Sequence, residues 1–108
     1  MQYISQLNIF NDYCRETSLD PSARVIYYTL LDINNKLAWV DKFRATNQRL
    51  MLESGIYNEK TFIRQRNTLQ QAGLITVVAG KKGKPSLYSI IELTGKFTVK
   101  TTGKTGVS

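Results

Sequence analysis

The sequence contains no histidine, one cysteine, two prolines and one tryptophan in 108 residues. Without histidine and with Cys14 alone, a tetrahedral zinc site of nitrogen and sulfur ligands cannot be assembled. A Ser-His-Asp or Cys-His catalytic arrangement is excluded on the same ground. A lone cysteine forms no intrachain disulfide, which suits a reducing cytosol better than a stapled secreted scaffold. No apolar run approaches the roughly 20 residues of a membrane span, and the N-terminus lacks the basic-then-apolar pattern of a signal peptide. Asp12, Glu16, Asp20, Asp32 and Asp41 are scattered with no converging pair, and Lys82-Gly83-Lys84 lacks the spacing of a phosphate-binding P-loop. Neither a cofactor nor an enzymatic activity is expected.

Negative charge is scarce in one half only. Residues 1–57 carry six basic and six acidic side chains, whereas residues 58–108 carry nine basic ones against Glu59 and Glu92, so the whole formal charge of +7 lies in the second half. That asymmetry points to a polyanionic partner. Apolar residues make up 42% of the chain, and about 100 residues support one modest core.

Hydrophobic spacing predicts a first amphipathic helix over 3–16, with Tyr3, Leu7, Phe10 and Cys14 inward and Ile9 and Tyr13 widening the stripe. Asp20 is a suitable N-cap and Pro21 a suitable first helical residue for a second helix reaching about Asn34, buried through Ala23, Ile26, Tyr27, Leu30 and Leu31. Lys36 to Ala45, with Leu37, Trp39, Val40 and Phe43, reads as a loop or short strand wedged into the core, with Trp39 as an anchor. Thr46 or Asn47 caps a short helix, Gln48–Ser54, with Leu50 and Met51 or Leu52 inward and Gly55 as its stop. Asn58 caps a longer helix from Glu59 to about Ala72, with Phe62 and Leu69 on its inner face. A short helix, a tight turn and a longer helix form the helix-turn-helix pattern.

The β-branched run Leu74–Ala79, the basic turn Gly80–Pro85 and the alternating Ser86–Ile91 predict a β-hairpin directly after it. The fold expected is mainly α with a small β-hairpin: a winged helix-turn-helix with extra N-terminal helices over 1–93. Residues 94–108 repeat Thr-Gly-Lys and hold few large apolar side chains; they read as a flexible tail or the start of a linker.

With Phe62 and Leu69 turned inward, Asn58, Lys60, Thr61, Arg64, Gln65 and Thr68 are the candidate base readers. Arginine or lysine can donate to guanine O6 and N7, and asparagine or glutamine can pair with adenine. The N-terminal turn of such a helix commonly enters the major groove. Lys81, Lys82 and Lys84 on the wing are candidates for phosphate or minor-groove contact. A polar helix face is also what solvation alone demands, and lysines also guard hairpin edges. Placement favours the binding reading: the helix 58–72 carries +2 and the turn 80–85 carries +3. Arg66 falls where an apolar residue is usual, which suits a packed stem and an internal hydrogen bond.

The run Lys60-Thr61-Phe62-Ile63-Arg64-Gln65-Arg66-Asn67-Thr68-Leu69-Gln70-Gln71-Ala72-Gly73-Leu74-Ile75, followed by a Gly/Lys wing and Tyr88, resembles the winged-helix N-terminal domains of replisome organisers from Gram-positive phages and mobile elements. These are similar to the N-terminal domain of the DnaD primosome protein. Phe10-Asn11-Asp12-Tyr13, Pro21–Tyr28 and the Lys-Thr-Thr-Gly-Lys stretch at 100–104 add to the likeness. The resemblance implies a replication initiator in the bacterial cytoplasm that binds double-stranded DNA at origin repeats. It also implies self-association through the N-terminal helices, as a homodimer or higher oligomer, and a helicase or helicase loader recruited by a region beyond residue 108. The residues leave two other readings open, a winged-helix transcriptional regulator and a protein-interaction or oligomerisation module.

Overall fold

The computed structural model describes residues 3–93; the tail expected at 94–108, with Lys96, Lys100 and Lys104, lies outside them. The described elements run α1 (Tyr3–Thr17), α2 (Pro21–Lys36), β1 (Phe43–Ala45), α3 (Asn47–Ser54), α4 (Glu59–Gln71), β2 (Ile75–Val78) and β3 (Ser86–Ile90). The fold is mainly helical with a small antiparallel sheet, as the sequence predicts. Its described residues divide into two compact units, 3–19 with 92–93 and Asp20–Ile91. The whole winged set, α2 to β3, lies in the second.

In the first unit, α1 buries Phe10, Tyr13 and Cys14, but Tyr3, Leu7 and Ile9 are only half-buried. Gln6 is the unexpected interior residue: its Oε1 accepts from the Leu93 amide at 2.9 Å. Burial of an amide side chain is tolerable because that bond replaces one to water.

The second unit starts where local chemistry dictates. The Asp20 carboxylate accepts from the Ser22 amide at 2.8 Å, and Pro21 opens α2. Ala23, Ile26, Tyr27, Leu30 and Leu31 are fully buried, and α2 packs against α3 and α4. Each large apolar side chain so removed from water contributes about 1.5–3 kcal/mol.

The 36–45 segment departs from expectation. Leu37 and Val40 are 47% and 41% exposed, and Trp39 is half-buried rather than a core anchor. The cause is Asn34, which is buried and holds the chain as it leaves α2: its carbonyl accepts from Trp39 N at 3.0 Å and its Oδ1 from Val40 N at 3.1 Å. Ala38 and Trp39 both take φ of 62°, so the chain turns outward here. It re-enters the core at Phe43, where β1 pairs with β3.

The sheet order is β1-β3-β2, both pairs antiparallel. Phe43 stands opposite Tyr88, their rings stacked at 6.0 Å, and Ile75 stands opposite Ile90. The third strand, β1, extends the expected hairpin to a three-stranded sheet with β3 central, a winged-helix-like arrangement.

Candidate nucleic-acid interface

Thr46 and Asn58 cap α3 and α4 as the sequence predicts: Thr46 Oγ1 accepts from Arg49 N at 3.0 Å and Asn58 Oδ1 from Thr61 N at 2.9 Å. Gly55 ends α3 with φ of 80°, a conformation that costs glycine nothing, and its amide donates to the Met51 carbonyl. Leu50 is fully buried beneath α3, Met51 is half-buried, and Leu52 is 70% exposed. The turn therefore delivers α4 with its Phe62 and Leu69 face fully buried.

The opposite face of α4 carries a shallow groove of about 460 Å³ lined by Lys60, Ile63, Arg64, Asn67, Thr68 and Gln71. It brings together three of the expected readers, Lys60, Arg64 and Thr68. Asn58 and Thr61 do not line it; the Asn58 carbonyl oxygen is spent on the cap. Gln65 was expected to face outward, but it is buried, 8% exposed. It lies three residues after Phe62 and four before Leu69, which at about 100° per residue puts it on their face. Asn67 and Gln71 fall opposite that face and are exposed, and they were not among the expected readers, which favoured the N-terminal turn. Thr68 donates to the Arg64 carbonyl at 3.1 Å, so its hydroxyl proton is engaged.

Arg66 belongs to the inner side. Its Nη1 donates to Asn47 Oδ1 at 3.0 Å and to the Tyr88 hydroxyl at 3.1 Å, and its guanidinium lies 5.5 Å from the Phe62 ring centroid. One side chain thus ties α4 to the first turn of α3 and to the central strand. Burial pushes the Tyr88 hydroxyl pKa up, and the Arg66 hydrogen bond and charge partly offset this.

The wing turns at Lys81–Lys84, closed by Lys84 N donating to Lys81 O at 3.0 Å. Lys82 and Gly83 have φ of 38° and 78°, the positive pair that tight hairpins favour. All three lysines are exposed. Among the described residues, Lys60, Arg64, Lys81, Lys82 and Lys84 make no ion pair.

No protein-family model matches the chain, and no curated protein matches it. A solved structure, the N-terminal domain of a DNA binding protein, is similar over 80% of this chain and 72% of its own, with a TM-score of 0.56 and 20% identity. That likeness is one of fold. Among the described residues, no helix is long and apolar enough to cross a membrane.

Proposed function

We propose that the Asp20–Ile91 unit binds double-stranded DNA sequence-selectively, with α4 in the major groove and the wing lysines on flanking phosphates. The observation that carries this reading is the outward α4 stripe. Lys60, Arg64, Asn67 and Gln71 stand exposed along the helix, the cations lack carboxylate partners among the described residues, and each can hydrogen-bond to a base edge or phosphate. The fold likeness to the N-terminal domain of a DNA binding protein supports it. Selection of duplexes from a random pool, followed by anisotropy titration against a scrambled competitor, tests it. Enrichment of a defined site is expected; equal, weak binding to every duplex would sink the claim of selectivity.

The finer reading is a replication initiator of a phage or mobile element acting on origin repeats in the bacterial cytoplasm. It rests on the resemblance of residues 60–75 and the wing to replisome organisers. Self-association and helicase recruitment belong to the same reading. Mapping the selected site in its genome tests it: clustered repeats at an origin are expected, and a promoter position would favour a transcriptional regulator. A pure protein-interaction module would leave duplex affinity absent, and replacing the wing lysines would then change nothing.

A further inference from the structure

The wing has a second feature, on the sheet rather than on α4. Arg44 of β1 stands opposite Leu87 of β3, and Leu87 stands opposite Val78 of β2. Directly paired residues share a face of a sheet and successive residues alternate. Arg44, Leu87 and Val78 therefore form a row on the face opposite the buried Phe43 and Tyr88. Val78 is 61% exposed, an apolar surface open to water. Arg44 Nη1 donates to the Pro85 carbonyl at 2.9 Å, which holds the guanidinium against the wing loop. There Arg44, Lys81 and Lys84 line one concavity of about 230 Å³, with Val78, Leu87 and Gly80. The Gly80 wall is bare backbone, because a Cβ there would collide with the Lys84 carbonyl.

Three cations thus converge on one hollow. None makes an ion pair among the described residues, and no carboxylate lines the hollow. Like charges gathered this way repel one another unless an anion sits among them. A bare anion would use the cations alone; a sugar-phosphate unit would use the apolar floor as well.

We propose that this hollow seats one phosphodiester of a DNA backbone, with its phosphate held by Arg44, Lys81 and Lys84 and the adjoining sugar laid on Val78 and Leu87. It rests on the duplex-binding reading for the source of the phosphate, and it adds Arg44, a residue from the electrically balanced half of the chain. The seat shares no lining residue with the α4 groove, so the phosphate it takes is one flanking the α4 footprint.

Anisotropy titrations of the full chain across a salt series test it. Arg44→Gln keeps a donor for the Pro85 carbonyl and removes the charge; Arg44→Lys keeps the charge. Arg44→Gln is expected to lower the slope of log affinity against log salt by up to about 0.9, the value for one whole phosphate, and Arg44→Lys to leave the slope unchanged. On a duplex with a neutral methylphosphonate at one linkage flanking the α4 footprint, Arg44→Gln should cost nothing further. A wild-type slope in Arg44→Gln, or equal loss in both variants, overturns the seat while the α4 reading stands. If the wild type binds no duplex at all, the α4 reading fails, and inorganic phosphate becomes the probe. Saturating amide shifts at Gly80 and Lys81 that vanish in Arg44→Gln would then assign the hollow to free phosphate; no shifts would overturn it.

Discussion

The charged surfaces of α2 and α3 differ in kind from those of α4 and the wing. On α2 and α3 the charges other than Arg24 are matched within the helix: Asp32 with Lys36 at 3.0 Å and Arg49 with Glu53 at 2.9 Å, both at i,i+4 spacing. Such pairs contribute a few tenths of a kcal/mol to a helix and nothing to a distant partner. On α4 and the wing, Lys60, Arg64, Lys81, Lys82 and Lys84 are exposed and make no such pair among the described residues. Folding gains nothing from leaving them unmatched, and they stand open to a partner. A paired charge stabilises the helix that carries it; an unpaired one is available to a ligand.

The sharpest way to break this contrast is to remove the wing cations together. Lys81, Lys82 and Lys84 replaced by Ala should flatten the salt dependence of duplex affinity by up to about 1.8 in slope, 0.9 for each of two phosphates, because Lys81 and Lys84 share one seat. The melting temperature should stay that of the wild type; a large fall in it would mean the lysines serve the fold. Next in size, Arg64→Ala should weaken binding to the selected duplex by about 1–3 kcal/mol and change stability by no more than about 0.5 kcal/mol. Gln65→Leu, one residue away but buried, should leave affinity unchanged, and isothermal titration of the two variants side by side checks the assignment of faces.

Arg66→Met should act in the opposite sense, on stability first. It leaves the Tyr88 hydroxyl and Asn47 Oδ1 without their donor, at a cost of about 1–3 kcal/mol by urea denaturation. Tyr88 also gives stability a pH dependence. Its folded pKa is raised by burial, so below the ordinary tyrosine value of about 10 it is protonated in both states and contributes no slope. Above that value the unfolded chain releases the proton while the folded chain retains it, so stability should fall as pH rises. Denaturation in alkaline buffers should show the fall, and Tyr88→Phe should reduce it. Smallest is Arg49→Ala, expected to cost about 0.3–0.5 kcal/mol of stability and nothing in affinity.

How much of this was legible follows from how local each feature is. The caps Asp20 and Asn58 and the stop at Gly55 depend on a residue and its neighbours within a turn, and the sequence predicts all three; for α3 it offers Thr46 or Asn47, and Thr46 is the cap. The inner face of α4 was half legible: Phe62 and Leu69 already imply Gln65 beside them and Asn67 and Gln71 opposite, but polarity drew Gln65 to the outside. The pairing of β1 was not legible, because three residues carry no period and their partner lies more than forty residues on. Asn34 was read as the end of α2, which runs on to Lys36, and its part as the buried organiser of the following turn was not legible. The Arg66 bridge needed the positions of Asn47 and Tyr88, which only tertiary packing supplies.

The central position of β3 has a consequence for the order of assembly. β3 is the last described element to be synthesised, yet both other strands hydrogen-bond to it and to no one else in the sheet. Until it docks, β1 and β2 are loose edges, and Arg66 has no tyrosine to grip. The helix-turn-helix can gather early around α2, but its angle to the wing is settled in the closing step, a long-range contact of the kind that slows folding. A ribosome pausing before Ser86 would hold a chain that has α4 but no frame to orient it.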